Sequence, residues 1–467
     1  MIALGLEDIC RSTGGRLAGA ATPQLRVTGT VVIDSRRCEP GSLFVCLPGE
    51  TADGHDFAAA AVAAGAVAVL AARDVGVPAI VVDDPQRALG SLAAGVLAAA
   101  PGCRVIGITG SVGKTSTKDL LAQVLAHRGP TVAPENSFNN EIGLPLTVLR
   151  IDERTCHLVC EYSARGVGHI RYLCGIARPT IAVVLNVGAA HLGEFGSRAG
   201  VAAAKGELVE ALPADGVAVL NADDPLVLGM RTRTNARVVT FGTAADADVR
   251  VVDLRLDDLA RPHFRLVAGP GDVAVALQDH GAHLARNAAA VVAAALAAGL
   301  DLEAVAAALG EAQIRSAHRM AVRRRDDGLV VVDDAYNANP ESVRAALDAL
   351  AAMAGGRRRW AVLGEMRELG DGSAELHREV GAYAAATGVE EIVAVGPAAE
   401  PIAAGARSTA GWAGRVRTVA DADAARRSVQ DEVVGGEVVL VKASNSLQFW
   451  HIAEALLAAV PAGARGR

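Results

Sequence analysis

The sequence predicts an α/β protein of three domains, with a central P-loop ATPase-like parallel sheet, and three observations carry that prediction. Short apolar runs alternate with alanine-rich stretches of helical length, the pattern of strands buried between helices. The 467 residues suit about three domains at roughly 150 residues each. Several strands end abruptly in polar or small residues, and open parallel sheets bind ligands at such carboxyl ends.

Taken in order, "AAVAAGAVAVLAA" reads as a helix ended by Gly65 and then a strand, and "AIVVDD" as another strand. The helical "LGSLAAGVLAAAPG" closes a first domain, residues 1–101. "CRVIGITG" is a buried strand, and "TSTKDLLAQVLAHRG" is the helix that follows it. "TCHLVCEYSA" and "TIAVVLNVGAAH" are further strands with polar ends, and "HLARNAAAVVAAALAAG" and "LEAVAAALGEA" are helices, completing residues 102–313. In residues 314–467 the strands "GLVVVDDAYN", "RWAVLGEM", "EIVAVGP" and "EVVLVKASNS" alternate with helices, a Rossmann-like pattern.

Composition narrows the function. At 51% hydrophobic and 21% charged the chain fills several cores, and with 3% aromatics the apolar mass is mainly Ala, Val and Leu. A net charge of -7 argues against nucleic acid or an acidic membrane as main partner. The seven cysteines form no CxxC pair. Cys156 and Cys160 flank a strand and read as structural thiols of a reducing compartment. The first residues lack a basic region followed by a long apolar one, and the Ala-rich run 57–72 falls short of a membrane span. A cytoplasmic monomer is the expectation.

The stretch "GITGSVGKTS", Gly107 to Ser116, fails the usual Walker spacing. Counting back from Gly113-Lys114-Thr115, the first glycine should stand at Ile108, yet the glycines are Gly107 and Gly110. The context is nonetheless strand, glycine turn, helix. Across Thr109, Gly110, Ser111, Val112 and Gly113 the backbone can curl so that N–H groups and the helix N-terminus meet phosphate. Lys114 then reaches the β/γ-phosphates and Thr115 ligates Mg²⁺, with Ser116 beside them.

TG-x-x-GKT after a strand resembles the loop of the Mur ligases, which form amide bonds with ATP in peptidoglycan precursor synthesis. Four further stretches fit the branch that adds D-Ala-D-Ala to UDP-N-acetylmuramoyl-tripeptide: "DSRRCEPGSLFVCLPGETADGHDF", "ENSFNNEIGLPLTVLR", "NVGAAHLGEFGS" with "AKGEL", and "DDAYNANPESVRAALDAL" with "VLGEMRELGD". Together they span residues 34 to 371. The resemblance implies an N-terminal UDP-substrate domain, a central ATP-binding domain and a C-terminal Rossmann-like ligase domain, using ATP and Mg²⁺ on a UDP-N-acetylmuramoyl-peptide and D-Ala-D-Ala or a related amine.

It also implies roles. Glu161 ends a strand, and a carboxylate there suits Mg²⁺; His191 matches the metal-associated histidine. Lys205, which alone reads as a solvated helix lysine, matches the lysine that carries a CO₂-derived carbamate. Asn287 matches the adenine-reading asparagine, and Arg319 the arginine reaching the phosphates from the third domain. Asp334, Tyr336 and Asn337 fall on the nucleotide, whereas Ser35, Arg36, Gly49, Asp53, His55, Asn139 and Asn140 fall on the UDP-substrate side. Asn339, Glu365, Lys442, Ser444 and Asn445 fall on the amine side.

Two stretches depart from the family pattern. Tyr162-Ser163 stands where Met-Gly is usual, and Asn445, leading into Leu447–His451, replaces an arginine. An arginine there would hold a carboxylate by two bonds, which asparagine cannot. A related amide ligase acting on another amine or acid is therefore the second reading. Phe449 and Trp450 read as core or as pocket residues.

Overall fold

Four sheets organise the residues that the computed structural model describes, 1–49, 52–188 and 192–458. The N-terminal part holds a two-stranded ribbon (Leu4–Gly5 with Arg26–Val27) and a five-stranded sheet. In that sheet Arg16–Ala18 pairs antiparallel with Ala79–Val81, and Ala68–Ala71, Leu43–Val45 and Val31–Val32 continue in parallel. The helix Pro85–Ala98 follows, started by Asp84, whose carboxylate accepts from the N–H groups of Gln86 and Arg87, an arrangement that satisfies otherwise orphaned helix donors.

The central sheet has nine strands. Three neighbouring strands toward one edge are β1 (Arg104–Thr109), β2 (His157–Glu161) and β3 (Ile181–Val184), with β1 between the other two and all parallel. Helix α1 (Lys114–Ala126) follows β1, and α2 (Arg198–Glu210) follows β3. Register sets the functional geometry: Ile108 lies opposite Glu161, and Thr109 opposite Val184. The carboxyl ends of β1, β2 and β3 therefore finish level, beside the start of α1.

Beyond Arg237–Gly242 the sheet leaves the pattern expected from sequence. Val249–Leu256, Pro262–Ala268 and Gly271–Ala276 form an antiparallel extension, whose one-sided burial alternates along Pro262–Leu266, as a half-solvated sheet requires. Helix α3 (His283–Ala297) covers the sheet with eleven buried residues, mostly alanine. It packs on α1, and the small side chains permit that close approach. This accounts for a large core with few aromatics.

The C-terminal sheet has six strands. Ala321–Arg324 is antiparallel to β4 (Val330–Asp333). Next come β6 (Val438–Lys442), β5 (Arg359–Leu363), Glu391–Val395 and Arg415–Val419, all parallel. Helix α4 (Pro340–Met353) follows β4 and opens with a capping box between Asn339 and Ser342. Among the described residues no helix is long and apolar enough to cross a membrane.

Candidate active site

A cavity of about 1090 Å³ opens where the carboxyl ends of the central strands face the C-terminal sheet. Residues 111–116 of the glycine loop line it. Gly113 is the residue before α1, at φ 84°, and an added Cβ would sit 2.9 Å from Asn287 Oδ1; only glycine combines that left-handed backbone with so close a neighbour. Gly107 does something else. It lies buried within β1, and a Cβ there would meet Tyr162 at 2.8 Å and Leu208 at 3.1 Å. The shifted glycine is therefore a packing position, and the Walker count fails because Gly107 is not part of the loop.

Thr109 and Gly110 support the loop without lining the cavity. The Thr109 hydroxyl donates to the Tyr162 carbonyl at 2.8 Å, and the Gly110 carbonyl accepts from Lys114 Nζ at 2.7 Å. Burial lowers Lys114 to about 8, with Glu161 opposing and Arg319 adding to the fall. The loop is braced by Asn186, just past β3. Its Oδ1 accepts from the N–H groups of Ser111 (3.0 Å) and Val112 (2.9 Å), and its Nδ2 donates to the Val112 carbonyl at 3.1 Å.

Around Thr115 three other segments converge. Its hydroxyl lies 2.9 Å from Ser137 Oγ, 3.4 Å from Glu161 Oε2 and 3.2 Å from Arg319 Nη2. Arg319 Nη2 also donates to Ser137 Oγ at 3.0 Å, and its guanidinium stacks 4.1 Å from the centre of the Tyr336 ring. Asn139 Nδ2 donates to Glu161 Oε2 at 3.3 Å. Glu161 is fully buried. Burial pushes its carboxyl up, while the Lys118, Lys114 and Arg319 charges pull it back.

Glu161 Oε1, Asn287 Nδ2 and Arg319 Nε are buried without a hydrogen-bond partner among the described residues. Unpaired buried polar atoms are costly and mark places where a ligand completes the bonding. Glu161, Thr115 and Ser137 offer the hard oxygen donors that Mg²⁺ takes alongside substrate phosphate. Among the described residues no three His, Cys, Asp or Glu side chains cluster as a metal site by themselves.

Lys205 on α2 is 5% exposed, unlike the solvated lysine its helix suggests in isolation. Burial drives its ammonium well below its ordinary range, and the charge of Lys114 adds to the fall. Two residues further on, buried Glu207 accepts from the N–H groups of Gly168 (2.5 Å) and Arg171 (3.0 Å). His191 lies outside the described residues.

The remaining expected residues divide. Asp334 accepts from Lys442 Nζ at 2.6 Å and from Met320 N–H at 3.1 Å. Lys442 is 2% exposed and also donates to the Asn337 carbonyl, so this ammonium braces the ends of β4 and β6. Asn339 caps α4, its Oδ1 accepting from Ser342 N–H at 2.9 Å. Asn337, Asn339 and Asn445 line the cavity; Glu365 and Ser444 do not. Glu365 pairs with Arg367, and the Ser444 hydroxyl accepts from Arg367 N–H. Phe449 is core, 2% exposed, and Trp450 stacks on His318 at 4.9 Å.

Asn139 and Asn140 line the cavity, whereas Ser35, Arg36, Gly49, Asp53 and His55 do not. Arg36 pairs with Asp34. His55 Nδ1 lies 2.5 Å from Asp53 Oδ1, and its Nε2 accepts from Ala72 N–H at 2.9 Å. Sequence reasoning missed Asn186, Ser137, Lys118 and Asp119. Asn186 carried a signal, being the first polar residue after an apolar strand; Lys118 and Asp119 carried none, since charges on a helix ordinarily face solvent.

Known proteins match this architecture along nearly its whole length. The Mur ligase family catalytic domain matches residues 29–97, the Mur ligase middle domain 108–295, and the Mur ligase glutamate ligase domain 318–445. The UDP-N-acetylmuramoyl-tripeptide–D-alanyl-D-alanine ligase of Mycobacterium tuberculosis (strain ATCC 25618 / H37Rv) is 47% identical, over 98% of each chain. A crystal structure of MurF from Acinetobacter baumannii superposes with a TM-score of 0.87 at 30% identity, covering 97% of this chain and 99% of that one. The MurF ligase of Thermotoga maritima in complex with ADP gives 0.79 at 29% identity, covering 92% and 97%. With a relative this similar over nearly its full length, the chain belongs to the Mur ligase family, in the branch of the UDP-N-acetylmuramoyl-tripeptide–D-alanyl-D-alanine ligases.

Proposed function

We propose that the chain joins D-Ala-D-Ala to UDP-N-acetylmuramoyl-tripeptide in the cytoplasm, consuming ATP and releasing ADP and phosphate. The observation that carries this reading is the meeting of Lys114, Thr115 and third-domain Arg319 on one cavity wall, with buried Glu161 behind Thr115 at 3.4 Å. Phosphoryl transfer needs chiefly positioning and charge neutralisation, and these groups supply both. The γ-phosphoryl passes to the substrate carboxylate, giving an acyl phosphate. The dipeptide amine then attacks the acyl carbon, and phosphate leaves as the tetrahedral intermediate collapses.

In this reading Lys114 and the N–H groups of the loop hold the β/γ-phosphates, with Arg319 reaching them from the other side. Asn287 meets the adenine end, and Asp334, Tyr336 and Asn337 complete the nucleotide wall. Glu161 and Thr115 hold Mg²⁺, which neutralises phosphate charge when bound; His191 belongs to the same set by its place in the sequence. Lys205 enters as a carbamate. Burial disfavours the ammonium, and the neutral amine is the nucleophilic form that adds CO₂, losing a proton to leave an anionic oxygen donor.

Ser35, Arg36, Gly49, Asp53, His55, Asn139 and Asn140 take the UDP-sugar side, and Asn339 and Asn445 the amine side, with Lys442, Glu365 and Ser444 shaping its wall. The three domains divide at 101/102 and 313/314. The chain acts as a monomer in this reading.

The test is phosphate release with UDP-N-acetylmuramoyl-tripeptide, ATP and D-Ala-D-Ala, omitting each in turn, with the product identified by mass. Release that requires all three and yields the pentapeptide supports the reading. Release that ignores the dipeptide, or prefers another amine, overturns it.

A further inference from the structure

The connector between the central and C-terminal sheets is held by a buried ion pair on α1. Lys118 and Asp119 are 1% and 6% exposed, on the helix that begins at the phosphate loop. Lys118 Nζ donates to Asp119 Oδ1 (2.5 Å), to the Pro134 carbonyl (2.8 Å) and to Ser316 Oγ (3.2 Å). Asp119 Oδ2 accepts from the N–H groups of Arg315 (3.1 Å) and Ser316 (2.9 Å). All three ammonium donors and both carboxylate oxygens thus find partners within the protein.

What the pair ties together is specific. Pro134 begins the loop that supplies Ser137 and Asn139, and Ser316 lies three residues before Arg319. Arg319 is flanked by His318 and Met320 at φ 58° and 51°, left-handed conformations that side-chain-bearing residues hold only under external constraint. The constraint comes from both sides. Ile314 N–H donates to Asp279 Oδ2 and Gln123 Nε2 to the Gln313 carbonyl on the central side, while His318 pairs with Asp333 and Met320 N–H with Asp334 on the other.

We infer that Lys118 and Asp119 are positioning residues that fix the 313–316 connector to the phosphate-loop helix, so that Arg319 reaches Thr115 and the nucleotide phosphates. Neither touches substrate; both act through Arg319, and the inference rests on the proposed role of Arg319 at the phosphates. Helix α1 then carries both halves of the phosphate grip, Lys114 directly and Arg319 through the knot four residues on.

A double-mutant cycle tests this with the full-length protein, reading the affinity of a non-hydrolysable ATP analogue with Mg²⁺ by calorimetry. Asp119→Asn and Arg319→Ala are each expected to weaken binding about tenfold, and the combined variant about tenfold as well, because both remove the same contact. A merely structural Asp119 gives independent losses that multiply to about a hundredfold, which overturns the inference, as does unaltered binding by Asp119→Asn. If Asp119→Asn alone does not fold, Lys118→Met/Asp119→Asn, which leaves no buried charge unpaired, takes its place in the cycle. The readout needs neither amine nor UDP-substrate, so the ligase assay with wild type fails or succeeds separately from it.

Discussion

Lys205→Met should make the protein more stable and inactive at once. The side chain is almost fully buried, and among the described residues no hydrogen bond or ion pair reaches its ammonium. Desolvating a polar group costs about 1–3 kcal/mol. The same desolvation drives the ammonium well below its ordinary 10.5. Methionine keeps the apolar stem and removes this penalty, a gain of about 2 kcal/mol. For a domain of this size that corresponds to roughly 4–8 °C in the unfolding midpoint.

The pH dependence fixes the cause. With its folded-state value below the unfolded one, Lys205 binds fewer protons in the folded chain between the two, so wild-type stability rises with pH across that window. The advantage of Lys205→Met is therefore largest near pH 7 and shrinks as pH approaches 10.5. The assay is thermal unfolding of both proteins at pH 7 and pH 10 in bicarbonate-free buffer, since carbamate formation consumes the free amine. A variant that melts below wild type at pH 7, or a gap that is the same at both pH values, refutes the reasoning. On the activity side, Lys205→Ala should be inactive and partly restored by a short carboxylic acid.

Three further outcomes follow from the same geometry. Lys114→Ala should abolish ATP-dependent phosphate release with the melting curve intact; in wild type, nucleotide affinity should fall about tenfold per pH unit above pH 8, because Lys114 is lowered to about 8 in the free protein and must regain a proton to meet phosphate. Asn186→Ala removes the three side-chain bonds that hold Ser111 and Val112 and should lower kcat/KM for ATP roughly 10- to 100-fold, measured by steady-state kinetics. Gly107→Ala places a methyl 2.8 Å from Tyr162 and should destabilise by about 1–3 kcal/mol through overpacking, read as a lower denaturation midpoint.

Much of this protein was legible in its sequence because the relevant signals are local. Alternating apolar runs and helical stretches specify the α/β class, since burial on both faces of a parallel strand demands continuous apolar residues. Gly113 before Lys114 marks a left-handed turn at a helix start, and Glu161 stands at the polar end of an apolar strand; both needed only a few neighbouring residues to read.

Tertiary structure decided what depends on distant partners. Gly107 looks like a loop glycine until β1 is packed against Tyr162 and Leu208. Lys118, Asp119 and Lys205 look like solvated helix charges until the connector, the 134–139 loop and the sheet close over them. The partners of Lys118 lie up to 198 positions away in the chain. A sequence records which groups are ionisable, but the desolvation and pairing that assign each one its work exist only once the chain has folded around it.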